Sequence, residues 1–452
     1  MRNKGREQQI TRFYNLIDPA RPISFDKDVP EAALDGDKVY VSDLHEDGFD
    51  VPRKSLQKAI VRTASADRYF FSGMRGSGKT TELRRLQHDL AETGEWVVFY
   101  TDMSEYLPLN AAVQIGDFLL VVVSALADEV HLRYGEDFKS IGPIARFVQF
   151  LTSEVQIEGL EWSIDTLLGK FGLKAKIKDN PSFQQELQQI TRRRIDRIVA
   201  ESRAFVDGLV DYVRGRSAGS ETRVLYVVDS VERLQGIGDE AKKVFDSVEN
   251  LFNAHRDKLR FDVLDVVYSV PPHISAATAA GAGRVYSLPM IRVFERPPTN
   301  SHGAPSQAGL GKMLRVLDLR CDYWRGLIAE EHMRELARVS GGDLRELFSL
   351  ARETLNLLDP DDDAHFPAPA AAIEQCKKLR RNQFGLIPVN HMDWLKRVAE
   401  THGHALPSIE ELGTLAQLFD GKLILKYRNG EDWYDVHPLL WEQVDRHAVA
   451  TR

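Results

Sequence analysis

The sequence predicts an α/β fold: a parallel sheet with helices packed on it, then a helical lid, then a small C-terminal winged helix. Three observations predict it. Short apolar runs alternate with helical patterns, which implies parallel strands joined by right-handed crossovers. A glycine-rich turn joins the first such run to an amphipathic helix. The last stretch of the chain reads helix, helix, hairpin. Four segments follow: an N-terminal arm and helix over 1–60, an α/β core over 61–300 with a helical insertion at about 105–222, a helical lid over 301–385, and the winged helix over 386–452.

The arm reads as irregular and charged up to a helix at Arg53 to Thr63. Asp67 to Ser72 is a short buried strand, and Thr81 to Glu92 is the amphipathic helix behind it. The next strands are Trp96 to Tyr100, Val224 to Val228 and Val263 to Val270, the last one stopped by Pro271-Pro272. A weaker strand lies around Val285 to Phe294, where Pro289 demotes it to an edge or a bulge. The insertion holds helical stretches at Ala111 to Tyr134, Pro143 to Thr152 and Ser182 to Arg214, and a small hairpin near Phe171 to Ile177. Pro297 to Gly311 reads as a disorder-prone linker. Helices follow at Gly311 to Leu317 and at Ala329 to Leu358, broken at Gly341-Gly342, with another at Ala370 to Asn382. The C-terminal module comprises helices Val389 to Thr401 and Ser408 to Phe419. Strands Lys422 to Tyr427 and Trp433 to Val436 follow, joined through Asn429-Gly430, a strong turn dipeptide.

The turn after the first strand, Gly73-Met74-Arg75-Gly76-Ser77-Gly78-Lys79-Thr80, fits G-x-x-x-x-G-K-[ST]. Gly73, Gly76 and Gly78 let backbone N–H groups turn inward around phosphates, with Ser77 and Thr81 in the same cradle, and the following helix N-terminus adds positive potential. Lys79 then reaches the β/γ-phosphates and the Thr80 hydroxyl binds Mg²⁺. Val224 to Asp229 is an apolar strand ending in an acid, and Asp229 at its carboxyl edge suits a Mg²⁺ held through water. Just beyond it, Glu232 either orients an attacking water or is a solvated helix residue. Ser269 either senses the γ-phosphate from the end of its strand or is a turn residue. In Gly341-Gly342-Asp343-Leu344-Arg345, the glycines break one helix and Asp343 N-caps the next. Arg345 then points outward from the first turn, to a phosphate or to solvent. His437 is a satisfied buried histidine or a ligand contact.

Composition sets the surroundings. The 452 residues are 43% hydrophobic and 28% charged, ordinary for a globular protein, and the net charge of −8 does not advertise nucleic acid as a partner. Arg192-Arg193-Arg194 with Arg197, and Lys377-Lys378 with Arg380-Arg381, are charge runs of the kind that form solvated helix faces. Cys321 and Cys376 lack metal-ligand spacing and fit a reducing compartment. The polar N-terminus has no signal peptide, and the apolar run Phe118 to Ala127 is too short to span a bilayer, so a cytoplasmic protein without membrane partners is expected.

Taken in order, the phosphate loop, the strand-end acid, Ser269 and the G-G-x-x-R helix resemble AAA+-related P-loop ATPases. They are closer still to the STAND class, which includes archaeal-type and NACHT ATPases. There the acid-bearing strand runs into D-G-L-D-[EKR], and Asp229-Ser230-Val231-Glu232-Arg233 is similar in spacing. Ser230 stands where many ATPases carry a glutamate, which implies slow hydrolysis. The resemblance implies sensor roles for Ser269 and Arg345. It implies an ADP-phosphate contact for His437, in His437-Pro438-Leu439-Leu440-Trp441-Glu442. Phe71 to Leu86 also resembles bacterial ATPases of mobile-element or anti-phage defence contexts. STAND proteins usually carry effector and sensor domains on the same chain; here both are expected on separately encoded partners. The expected function is therefore an Mg²⁺-dependent ATPase binding ATP or ADP, a nucleotide-controlled switch forming nucleotide-dependent homo-oligomers. The alternative is a DNA-associated AAA+ ATPase of the initiator or loader type. It needs a basic recognition helix, and Ser408 to Phe419 has no Lys or Arg.

Overall fold

The computed structural model describes the chain except residues 1–3, 47–49, 136–137, 139–141, 156–162, 164–176, 179, 218–220, 235–239, 278–283, 404–410 and 451–452. The hairpin expected near Phe171 to Ile177 falls almost wholly outside the described residues. In chain order the helices are α1 (Lys4–Leu16), α2 (Pro52–Arg62), α3 (Lys79–Ala91), α4 (Ile115–Tyr134), α5 (Gly142–Glu154), α6 (Pro181–Arg192), α7 (Ile195–Arg216), α8 (Glu240–Glu249), α9 (Pro272–Ala277), α10 (Gln307–Arg320), α11 (Glu330–Val339), α12 (Leu344–Asn356), α13 (Ala370–Asn382), α14 (Val389–Thr401), α15 (Leu412–Asp420) and α16 (Trp441–Ala450). The N-terminal arm also holds a one-turn helix, Gly36–Val39, and a parallel two-residue strand pair, Ile23–Ser24 with Leu34–Asp35; the remaining strands are β1 (Arg68–Gly73), β2 (Trp96–Asp102), β3 (Arg223–Asp229), β4 (Asp265–Val270), β5 (Val285–Leu288), β6 (Ile424–Asn429) and β7 (Glu431–Val436). The fold is α/β, with a five-stranded sheet in the order β2-β3-β4-β1-β5.

The chain divides into two compact units. One comprises 1–52, 73–81 and 288–452; the other comprises 53–72 and 82–287. The second holds the sheet. β1 pairs parallel with β4, β4 with β3, and β3 with β2, so the carboxyl ends of these four strands share one edge. β4, which ends in Ser269 and Val270, thus lies between β1 and the Asp229 strand. α4 is apolar nearly all round and buried along most of its length, packing against β2, α6 and α7. Phe118 on it meets Phe252 and Tyr268 at ring-centroid distances of 6.3 and 6.2 Å. Such a helix belongs inside a core, not on a surface.

The helical stretch expected from Ser182 to Arg214 is two helices. The chain breaks at Arg193-Arg194, where Arg194 N–H bonds back to the Thr191 carbonyl at 2.9 Å. No apolar side chain in Arg192 to Arg194 anchors a continuous turn to the core.

The other unit contains two further departures from the sequence expectation. The supposedly irregular arm forms α1, whose buried stripe is Phe13 with Ile17 just beyond the helix. Arg352 of α12 lies over the Tyr14 ring at 3.9 Å and pairs with Asp18 at 3.0 Å. The supposed linker to Gly311 is ordered from Gln307 as α10, because Leu310, Met313, Leu314 and Leu317 form a buried helical stripe. Residues 290–293 run beside the Gly341-Gly342 turn. Gly342 has φ +81, and a Cβ there would lie 2.0 Å from the Ile291 carbonyl oxygen, so both backbone shape and space require glycine. α14, α15, the antiparallel β6–β7 hairpin and α16 complete the helix–helix–hairpin module at the C-terminus.

Candidate functional site

The loop Gly73 to Thr80 closes on itself. Ser77 donates through its N–H and its hydroxyl to the Met74 carbonyl, at 3.2 and 2.8 Å. Lys79 is only 5% exposed, and its Nζ donates to the carbonyls of Gly73 at 2.7 Å and Met74 at 3.1 Å. An ammonium buried in this way needs acceptors, and phosphate oxygens are stronger acceptors than carbonyls. Gly76 and Gly78 have φ of +90 and +92. Thr80 is exposed at the start of α3, and Thr81 follows it.

Two groups lie against this loop, His45, which the sequence did not single out, and Asp343, which it placed only as a helix cap. His45, 7% exposed, has its Nε2 3.7 Å from where a Cβ on Gly78 would stand. Burial pushes its pKa down to about 4, so the imidazole is neutral. Asp343 presses on Gly76: a Cβ there would lie 2.2 Å from both carboxylate oxygens. Asp343 is 1% exposed. It caps α12 by accepting the Glu346 N–H at 3.1 Å, and it forms a short ion pair with Lys422, at the root of the wing. Glu346 in turn holds Arg380 of α13, with one oxygen 2.7 Å from Nη2. The N-cap role expected for Asp343 is therefore one of three contacts made by a single carboxylate.

Arg345 is exposed in the first turn of α12, with no ion-pair partner among the described residues. His437 is 1% exposed. Its Nδ1 accepts the Leu439 N–H at 3.3 Å, capping the turn Pro438–Leu440, and its ring lies 4.9 Å from that of Phe384. Burial, with Arg380 and Lys422 nearby, pushes its pKa down to about 3. His437 is a neutral, hydrogen-bonded side chain in the same unit as the loop.

The second unit gathers the strand-end groups. Asp229 is fully buried; Oδ1 accepts the Ser230 N–H at 2.7 Å and Oδ2 accepts the Tyr100 hydroxyl at 2.5 Å. Burial and the Asp229 charge push the Tyr100 pKa well above its ordinary value, so the phenol stays a donor. The Arg84 guanidinium stacks on the Tyr100 ring, 3.4 Å from its centroid. Ser230 adopts φ +67, which turns the chain sharply into Val231–Arg233. Glu232 is 8% exposed, so it is not a solvated helix residue. Ser269 joins the two strands' ends: its hydroxyl donates to Glu232 Oε2 at 2.6 Å and accepts the Val231 N–H at 3.1 Å. Sequence reasoning missed Tyr100 and Arg84. The visible signal was an aromatic residue two positions before Asp102, which pairs in register with Asp229.

Thr80 in one unit and Asp229 in the other each carry a hard oxygen donor of the kind Mg²⁺ takes, and Mg²⁺ usually completes its shell with water and substrate phosphates. The donor chemistry fits. Among the described residues no cluster of three or more His, Cys, Asp or Glu forms a dedicated metal cage.

The structure is similar to the Walker-type ATPase of Pyrococcus abyssi, at 12% identity and a TM-score of 0.39, covering 95% of this chain and 99% of that one. It is similar to the ORC2 protein of Aeropyrum pernix in its ADPNP–ADP complexes, at 10% identity and a TM-score of 0.38, covering 91% and 98%. It is also similar to CDC6P of Pyrobaculum aerophilum, at 12% identity and a TM-score of 0.35, covering 92% and 98%. These neighbours are Walker-type and Cdc6/ORC proteins. At such TM-scores the functional argument rests on the chain's own residues. No family model matches the chain, and no curated protein does.

Proposed function

We propose that the chain is an AAA+-related P-loop ATPase that works as a nucleotide-controlled conformational switch. One observation carries this: the Asp343 carboxylate lies against Gly76 of the phosphate loop while paired to Lys422 beside the wing. A single charged group thereby ties the loop to the lid and to the C-terminal module. A nucleotide with one more phosphate brings more negative charge towards that carboxylate, which disfavours the present packing relative to an opened one. That differential interaction is what a switch needs.

In this reading Gly73, Gly76, Ser77, Gly78 and Thr81 cradle the phosphates, and Lys79 exchanges its carbonyl acceptors for β/γ-phosphate oxygens. Arg345 and His437 contact phosphate from the lid and the winged helix in different states. Thr80 and Asp229 would hold Mg²⁺, which would supply charge neutralisation on the phosphates. Glu232 accepts a proton from the attacking water as its oxygen bonds to the γ-phosphorus and the bond to ADP breaks. Ser269 positions Glu232 for that transfer through the bond between them, and Ser230, standing where many ATPases carry a glutamate, favours slow turnover.

The same proposal extends to a regulatory ATPase subunit of a cytoplasmic multi-component system. Its effector or sensor is separately encoded, and the chain forms a homo-oligomer with ATP. The resemblance of Phe71 to Leu86 supports a defence context. The DNA-reading alternative finds little support in α15, which carries no Lys or Arg. Among the described residues no helix is long and apolar enough to cross a membrane.

The test is Lys79→Ala. Removing charge-assisted contacts to phosphate should weaken ATP and ADP binding by roughly ten- to a hundredfold, at about 1.5–3 kcal/mol. Unchanged affinity would sink the proposal.

A further inference from the structure

The junction of α6 and α7 opens onto a cleft of about 550 Å³ that the nucleotide reading leaves unused. Arg192, Arg193, Arg194 and Arg197 line it, together with Lys258 and His255 from the turn after α8. Among the described residues two carboxylates share the lining, Glu154 and Asp196, so five cations face two acids on a chain whose net charge is −8.

The acids are spoken for. Glu154 receives Arg194 Nε at 3.2 Å and Arg197 Nη1 at 2.7 Å, and Asp196 pairs with Lys258 at 2.5 Å. These bonds orient three of the cations. Arg192 and Arg193 are exposed and have no partner among the described residues. Two uncommitted guanidiniums beside three oriented cations concentrate positive potential in a concave space, which focuses the field better than a flat patch.

We propose that this cleft binds a small molecule bearing two or more phosphate groups, at a site separate from the phosphate loop. The volume lies in the range of small-ligand sites, roughly 300–1,000 Å³. Arginine outnumbers lysine four to one, and its planar fork bonds phosphate bidentately where lysine acts as a point charge. The excess of three cations over carboxylates matches an oligophosphate of similar charge. A nucleic-acid backbone fits less well. A duplex asks for an unbroken cationic track, which Glu154 and Asp196 interrupt. A single strand asks for a row of aromatic stacking platforms, and among the described residues the His255 imidazole is the one aromatic ring in the lining. Burial and Lys258 both hold the His255 pKa below its ordinary value, so the imidazole is a neutral hydrogen-bonding group at the rim.

The experiment uses the full chain carrying Lys79→Ala, which removes the competing loop contacts, and inorganic tripolyphosphate as the probe in isothermal titration calorimetry. We expect one tripolyphosphate per chain. Arg192→Glu with Arg193→Glu should lower that affinity tenfold or more, and Arg192→Gln with Arg193→Gln should lower it to a smaller extent. Both positions are exposed, so unchanged melting temperatures should accompany the loss. No binding, or binding that survives the charge reversal, overturns the proposal. So does a charge reversal that abolishes retention of a short DNA duplex while leaving tripolyphosphate binding intact.

Discussion

Gly76→Ala probes the contact on which the proposed switch depends. The new Cβ would stand 2.2 Å from both Asp343 carboxylate oxygens, far inside any tolerable contact, at a backbone φ of +90 that strains any L side chain. The backbone term alone costs about 1–3 kcal/mol. The carboxylate can yield only by giving up its cap on α12, worth about 1 kcal/mol, and disturbing its pair with Lys422. The expected total is about 2–4 kcal/mol, which for nucleotide-free protein lowers the melting temperature of the unit by roughly 5–15 °C. Asp343→Ala alone should cost about 1–2 kcal/mol through the lost cap. In the double variant the clash no longer exists. The double variant should therefore be more stable than the sum of the single effects implies, by about 1 kcal/mol or more. Differential scanning fluorimetry of the four proteins measures this cycle. A neutral Gly76→Ala, or strictly additive effects, would refute the contact and the coupling built on it.

Three further outcomes follow from the geometry. Ser269→Ala orphans the buried Val231 N–H and releases Glu232, so stability should fall by about 1–2 kcal/mol. ATP turnover should fall by about tenfold with nucleotide affinity little changed, and Ser269→Thr should restore both; unaltered turnover would remove Ser269 from its positioning role. Lys422→Met leaves Asp343 buried without its cation. Because Lys422 is 21% exposed, the cost should be nearer 2 than 5 kcal/mol, read as a lower melting temperature; an unchanged one would remove the pair from the account. His273 is buried beside Phe245, and burial holds its pKa down to about 3. The unfolded chain takes up a proton near pH 6.5 and the folded chain does not. Its contribution is therefore fully present above pH 6.5 and is lost at about 1.4 kcal/mol per pH unit below it. Asp435 works in the opposite direction, since burial lifts it to about 7 and stabilises the protonated fold at low pH. His273→Phe should accordingly gain stability relative to the parent between pH 6.5 and 4.5. A constant difference across that range would contradict the assignment.

The strand, glycine turn and helix around Gly73 to Thr80 were legible because their requirements are local: glycines at fixed spacing, a strand before and a helix after. α13 and the wing turn were legible for the same reason, Gly430 taking the φ of +73 that an Asn-Gly turn demands. α1 was not, since its buried stripe is slight in a charged segment. α10 was hidden by glycines that suggested a linker, although its leucines keep a helical stripe. The contacts that give the sites their character join residues far apart in sequence. Asp343 and Lys422 are separated by 79 positions, and Tyr100 and Asp229 by 129. No local pattern encodes such a pair. Strand alternation did place β4 in the sheet, but only the strand order sets Ser269 next to Glu232.

The switch is tested most directly by measuring the molar mass of the nucleotide-free protein by light scattering after adding ADP or ATP with Mg²⁺, alongside a Glu232→Gln variant. A monomer with ADP that assembles with ATP, and stays assembled longer when Glu232 is Gln, is the predicted result. The same mass under every nucleotide, with the Asp343–Lys422 contact equally intact in each, would contradict nucleotide control.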